Sequence, residues 1–260
     1  MVRIGVGRGI GRGGARMKRG MIESWLRTLL LQASWNYERL VGVGLAFSSE
    51  PLLRDLPGGT EGERYNAALR RAVQHFNGHP YLIGLAVGAL ARTEHDAIPI
   101  EKMQRLRTAL AGPLGSVGDK LIWAGLLPVC SAIALVLAVW VSPAAAVLSF
   151  LVLYNLVHFA LRFWGLSAGW NSGLRVAQRL GAPAIKWGLR IAGPFAALSL
   201  GFALPIVAAW LVRHLDGSEL IAAGLIMSVG IIFSRWLLPT LGGNRFGLAA
   251  VALVLVLGLL

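Results

Sequence analysis

Two histidines flank an asparagine in His75-Phe76-Asn77-Gly78-His79. On a helix, a spacing of four sets two imidazoles on one face, within reach of one metal ion. Gly78 and Pro80 oppose a continuous helix here, and no third ligand stands near, so the pair reads as polar residues at a helix end. The chain carries no convincing nucleophile–base pair. Its one cysteine, Cys130, lies in an apolar run and reads as a packing residue. Gly112-Pro-Leu-Gly-Ser-Val-Gly-Asp119 lacks phosphate-loop spacing, and Gly5-Val-Gly-Arg-Gly9 lacks the preceding strand of a dinucleotide site. No catalytic residue, metal or cofactor is expected. What remains is a set of carboxylates and amides beside aromatic rings: Trp35, Asn36 and Glu38, then Asn77, then Asp119 with Trp123. Such groups can hydrogen-bond a polar ligand or one another and stack on a ring.

The elements that must position these groups belong to a membrane. Of 260 residues, 56% are hydrophobic and only 14% charged, against about 25% in an ordinary soluble protein. Mean hydropathy is +0.65. The reading is an all-α polytopic membrane protein: N-terminal amphipathic and re-entrant helices, then about five transmembrane helices. A net charge of +13 in such a chain points to loops on the cytoplasmic side rather than to nucleic acid. Three regions follow. Residues 1–20 are a basic tail with Arg3, Arg8, Arg12, Arg16, Lys18 and Arg19, without an acid, and are expected to be disordered beside anionic lipid. Residues 21–110 are amphipathic, interfacial or re-entrant. Residues 111–260 carry spans near 121–141, 143–161, 192–212, 220–238 and 246–260.

Within the second region, Met21–Ser49 reads as one helix, with Ile22, Leu26, Leu29, Ala33, Tyr37 and Leu40 on a common face and an i,i+4 pair Glu23–Arg27. Gln32–Arg39 is dense in polar and aromatic groups, either a headgroup-level anchor or a functional surface. Thr60-Glu-Gly-Glu63 fits a capping box for a helix to about Phe76. Tyr81–Ala91 is too short to span, and its Gly84 and Gly88 suit a re-entrant or protein-buried helix. Arg92–Arg107 reads as a solvated helix continued by an apolar face of Ile100, Met103, Leu106 and Leu110. Ala111–Trp123 reads as an irregular elbow, because three glycines and Pro113 disfavour helix, with Asp119 placed to cap the first span. Arg162–Arg190 holds five cations and no acid, which marks it as cytoplasmic; the N-terminus then lies on the same side. Asn155 and His158, inside a span, are expected to hydrogen-bond between helices.

Separated blocks in this order carry a resemblance. They are Gln32-Ala-Ser-Trp-Asn-Tyr-Glu-Arg39, Phe76-Asn77 with Pro80, Gly112-Pro-Leu-Gly-Ser-Val-Gly-Asp119 with Trp123, and Tyr154-Asn155-Leu156 followed by Arg162-Phe-Trp-Gly165. Together they resemble the IID component of the mannose/fructose/sorbose family of the bacterial phosphotransferase system, over about Leu30 to Arg179. The resemblance implies a subunit of the inner (plasma) membrane. It would form the path for a hexose with a IIC membrane subunit, in a hetero-oligomer with several copies of each. Cytoplasmic IIA and IIB proteins would phosphorylate the sugar through their own histidines, so none of His75, His79, His95, His158 or His214 inherits that role. Where the family usually has proline after the elbow aspartate, this chain has Lys120.

Asp119, with Gly112, Gly115 and Gly118, is therefore assigned to a substrate-path or partner-facing element, with plain N-capping as the competing role. Trp35, Asn36, Glu38 and Asn77 take the same assignment, against an internal polar network or a contact to IIC. A second class of function stays open at this point: a regulatory or structural membrane protein derived from such a transporter, without active uptake.

Overall fold

The computed structural model describes residues 17–219 and, beyond them, residues 221, 222, 224, 225, 228 and 229. Among these the secondary structure is helical: α1 Met17–Thr28, α2 Gly42–Leu53, α3 Glu63–Ala72, α4 Gly84–His95, α5 Ile100–Gly118, α6 Leu127–Trp140, α7 Pro143–Ser172, the single turn α8 Ala177–Leu180, and α9 Pro183–His214. A π-helical segment, Asp119–Leu126, joins α5 to α6 without a break. The boundary between two compact units falls at Leu204/Pro205. In the second unit, the Asp216 carboxylate accepts from the Ser218 hydroxyl and the Glu219 amide, capping the turn after α9. The expected spans near 220–238 and 246–260 lie outside the described residues apart from those few positions. So does nearly all of the basic tail.

Among the described residues three continuous helices are long and apolar enough to cross a membrane: Ile100–Trp140, Pro143–Arg175 and Pro183–His214. They contain the expected spans 121–141 (but for its last residue), 143–161 and 192–212. Their apolar side chains point outward: Trp140, Leu148, Leu156, Leu198 and Phe202 are all exposed. A water-soluble fold could not tolerate so much exposed apolar surface. The helical hairpin α6–α7 turns at Ser142, whose hydroxyl accepts from the Ala145 amide, with Pro143 opening the next helix.

The buried centre is α4. Gly84 to Ala89, Ala91 and Thr93 are all buried. Twelve residues with two glycines make a weak helix by propensity, so its stability comes from packing. Gly84 and Gly88 face Gly165 and Gly169 of α7, and the backbones touch: a Cβ on Gly84 would lie 2.8 Å from the Leu166 amide. Leu45, Leu53, Phe76, Leu110 and Leu166 complete the core around it. The short apolar segment is thus protein-buried, but it runs on to His95. The expected solvated helix from Arg92 is instead broken, with Ala97 at φ +50 between α4 and α5.

Other expectations need correction. Met21–Ser49 is three pieces, not one helix. Leu40 takes φ +51, and the chain turns back so that α1 and α2 pack side by side. The expected Glu23–Arg27 pair forms at 2.7 Å, and the turn joins it to Glu50 and Arg54 (Arg54–Glu50 2.6 Å, Arg54–Glu23 2.7 Å), with the Tyr65 hydroxyl donating to Glu50. Hydrogen bonding from Arg54 leads the effects that lower the Glu23 pKa. At Glu50, burial pushes upward, and Arg54, Tyr65 and Arg27 together outweigh it. The capping box does not form: Thr60 and Glu61 lie in a 3-10 turn, and α3 starts after Gly62 without a side-chain cap. Helix α3 ends at Ala72 rather than Phe76. Arg107 donates to the carbonyls of Ala72, Gln74 and His75, closing its C-terminal end.

The elbow is also helical. Gly112 and Gly115 sit in α5 with nothing near where a Cβ would be, and exposed Pro113 interrupts only the bond that the exposed Ala109 carbonyl would accept. Asp119 has helical dihedrals and caps nothing. The irregularity that the glycines signal is a wider helical register beginning at Asp119, not a loop.

Candidate functional site

The sequence blocks meet at one junction. The Leu29–Val41 turn is held by a 3-10 helix at Leu31–Ser34 and by the Asn36 side chain, which accepts from the Arg39 amide at 2.8 Å. Its far limb pairs with the segment after α3: Phe76 donates to the Arg39 carbonyl and accepts from Val41. The first and second blocks are therefore one layer. From Phe76 the chain descends through Asn77 and Gly78 into a turn at His79–Ile83, where the His79 carbonyl accepts from Leu82 and Ile83.

His79 is the pivot. It is buried, and its ring lies in the space left by Gly118, where any Cβ would collide with it. The His79 amide reaches the Leu114 carbonyl at 3.4 Å, so the second block is tied to the third. Trp123, on the π segment, meets the imidazole edge-on at 5.0 Å; Tyr81 meets it at 5.1 Å. Nδ1 accepts from the Tyr81 amide, which leaves the proton on Nε2, and Nε2 has no hydrogen-bond partner.

Tyr81 carries the connection to α7. Its ring stacks on His158 at 4.1 Å, its hydroxyl pairs with that of Tyr154 at 3.1 Å, and the Arg162 guanidinium lies 5.1 Å from its centroid. Arg162 Nε donates to His158 Nε2 at 2.6 Å, and its Nη1 donates to the carbonyl of Thr28, the last residue of α1. Arg162 is therefore no part of a basic loop: it is a buried cation in mid-helix. The hydrogen bonds of Asn155 and His158 stay within α7, contrary to expectation, and His158 reaches another element only by stacking on Tyr81.

Burial holds the His79 imidazole well below its ordinary 6.5, at about 4; Asp119 pulls the other way and Arg162 adds to the effect. A histidine kept neutral contributes stability that is fully present above pH 6.5 and is lost as pH falls towards 4. Thermal melts of the full chain in detergent are expected to lose about 2–3 kcal/mol across that window, whose lower end overlaps carboxylate titration. His79→Gln should flatten the slope. An equal slope in the variant would place the pH sensitivity elsewhere.

Of the residues singled out from sequence, the structure gathers some and scatters others. Gly118 and Trp123 touch His79 directly. Asp119 is exposed beside them, close enough for its charge to act on the imidazole. Asn77 is exposed and accepts only from the Gly78 amide. Trp35 and Glu38 are exposed on the turn, Trp35 edge-on to Tyr37 at 4.8 Å. Gly112 and Gly115 lie on α5 away from the pivot contacts. The sequence reading missed His79, Tyr81, Tyr154 and Arg162 as a connected set. The signal available was position: each lies inside or within a residue of a motif block. With no capping role, Asp119→Asn is expected to leave thermal stability within about 0.5 kcal/mol of the parent. A larger loss would mean that the carboxylate holds the π segment in place.

An all-α membrane protein with a buried glycine-packed helix, a π-helical joint and a histidine–aromatic–arginine ladder between motif blocks is the class that fold and site define. The family model for the phosphotransferase system mannose/fructose/sorbose family IID component matches residues 17–195, and the chain belongs to that family. It is 33% identical over 163 residues to the mannose-specific EIID component of Escherichia coli K12, covering 60% of this chain and 56% of that protein. It is 28% identical over 174 residues to the fructose permease IID component of Bacillus subtilis, covering 65% and 62%. The chain thus spans little more than half the length of these curated relatives. Its fold matches a chain of the mannose transporter ManYZ in complex with microcin E492, with a TM-score of 0.57 and 22% identity over 84% of this chain and 96% of that one.

Proposed function

We propose that this chain is the IID membrane subunit of a phosphoenolpyruvate-dependent sugar phosphotransferase system. With a IIC membrane subunit it forms the path for a mannose-type hexose, and cytoplasmic IIA and IIB proteins phosphorylate the sugar. It supplies no catalytic group itself. Its N-terminus lies on the cytoplasmic side of the bacterial inner membrane, and five spans complete its membrane region. The observation that carries the reading is the family match over residues 17–195. The meeting of three motif blocks at the His79–Trp123–Tyr81–Arg162 junction, with the first block paired to Phe76 beside it, supports it. Within that reading, Asp119 with Gly112 and Gly115 faces the substrate path or IIC, while Gly118 seats His79 behind them. Trp35, Glu38 and Asn77 form a second exposed face on the same layer, with half-buried Asn36 holding its turn.

The test is co-purification in detergent with the IIC-type protein encoded nearest to it, then radiolabelled hexose uptake into vesicles supplied with IIA, IIB and phosphoenolpyruvate. A stable complex with phosphorylation-coupled uptake is the expected result. A complex without uptake would favour a regulatory descendant of such a transporter, and no complex would remove the proposed partner.

A further inference from the structure

Helix α9 touches the π segment closely at two points. A Cβ on Gly125 would lie 2.8 Å from the Ala192 Cβ, and one on Gly188 would lie 3.2 Å from Leu121 Cδ2. Leu121 faces Gly188 and Gly125 faces Ala192, so the two helices run in the same direction. Beside this contact a slot stays open, lined by Leu126 and Val129, by Val157 and Leu161 of α7, and by Ile191 and Phe195 of α9. Its volume is about 480 Å³, rising to about 1020 Å³ when space out to the open rim is counted.

Along α9 the lining runs from Ala184 to Phe195, about 16 Å at the helical rise, and its length and almost wholly apolar lining suit an acyl chain.

Most of the charge stands towards one end. Lys120 immediately precedes Leu121, and Lys186 stands between the lining residues Ile185 and Trp187; Arg190 follows one turn on, and Arg175 and Arg179 lie just before α9. All five are exposed, and among the described residues none forms an ion pair. Between Lys102 and Leu215 the only acid is Asp119. Trp187, exposed at the same level, is the ring type that settles at headgroup depth. From that end to Val129 and Phe195 the lining is apolar.

We propose that the slot binds an anionic phospholipid, with an acyl chain between α6, α7 and α9 and the headgroup phosphate among Lys120, Lys186 and their neighbours. Basic pockets between membrane helices recognise anionic headgroups in this way. Lys120 then has a role of its own at the position where the family pattern has proline.

Native mass spectrometry of the full chain, released from nanodiscs holding equal phosphatidylglycerol and phosphatidylcholine, reads retained lipid directly. Phosphatidylglycerol is expected to be kept in preference, and Lys120→Gln with Lys186→Gln to weaken its retention on the order of thirtyfold. Val157→Phe, which fills the slot from α7, should displace the lipid with both lysines intact. Ala184→Phe, at the exposed rim, makes the same test should the α7 change disturb folding. Equal retention of the two lipids would overturn the proposal. So would retention unchanged by both slot-filling variants, which would reduce the contact to surface charge alone.

Discussion

Gly88→Leu is expected to abolish the folded chain, while Gly112→Ala and Gly115→Ala leave it as stable as the parent or slightly more so. A Cβ at Gly88 would collide with the Leu166 carbonyl and the Trp170 amide of α7. Those are backbone atoms, so no rotamer change relieves the clash. The two helices must separate, and α4 is buried along nearly its whole length. Overpacking at such a contact costs about 1–3 kcal/mol for the first methylenes and more once the helices part. Against a total stability of about 5–15 kcal/mol, loss of α4 packing is decisive. Gly118→Ala belongs to the same class, since its Cβ would enter the His79 ring. At Gly112 and Gly115 nothing lies within 4 Å of a Cβ. Alanine there gains up to about 1 kcal/mol of helix propensity. Size-exclusion profiles and melts of the purified chain separate the two groups. A monodisperse Gly88→Leu protein with unchanged melting would refute the close crossing. A stable Gly112→Ala or Gly115→Ala protein that loses hexose uptake with IIC would instead mark α5 as a face for the partner or the substrate.

The contrast among these glycines shows what the sequence could and could not reveal. Membrane class and three of the spans were legible, because long apolar runs have few alternatives to helix in lipid. The motif blocks were legible as strings. How the chain bends between them was not. The spacing of Ile22, Leu26, Leu29, Ala33, Tyr37 and Leu40 imitates one amphipathic face, yet Ile22, Leu26 and Tyr37 are exposed, the helix stops at Thr28, and the chain reverses through a turn in which Leu40 takes a positive φ. What fixes that turn is long-range: the Phe76 pairing with Arg39 and Val41 and the approach of Gly44 to the Leu31 backbone. Glycine and proline at Gly112–Gly118 signalled irregular backbone, but exposed positions in a helix tolerate both, and the irregularity moved downstream into the π segment. His79 was weighed only as half of a metal pair with His75. Of its real neighbours, Tyr81 is close by in the chain, while Gly118 and Trp123 come from one distant stretch, and no local pattern announces that meeting. Arg162 was counted among loop cations by charge alone. Only the fold shows that carbonyl, imidazole and ring partners for it lie inside.

Removing those partners from Arg162 should be the second severe change. Arg162→Met keeps the length and apolar stem and deletes every donor. The Thr28 carbonyl at the end of α1 then loses its donor, and His158 Nε2 loses the bond it receives at 2.6 Å. Each buried polar group left unsatisfied costs about 1–3 kcal/mol, so a total of about 2–5 kcal/mol is expected. Among the described residues no carboxylate bonds to Arg162: its charge is carried by a helix-end carbonyl, an imidazole and the Tyr81 ring. Arg162→Lys should recover only part of the loss, because one ammonium cannot span two acceptors on different helices. A double cycle with Tyr81→Leu distinguishes the ladder from a simple buried bond. Coupling above about 0.5 kcal/mol is expected, because the ring stacks on His158 and lies under the guanidinium. If Arg162→Met melts like the parent and the cycle shows no coupling, the cation does not hold α1 to α7. A charge kept there without structural need would then belong to the transported ligand's path.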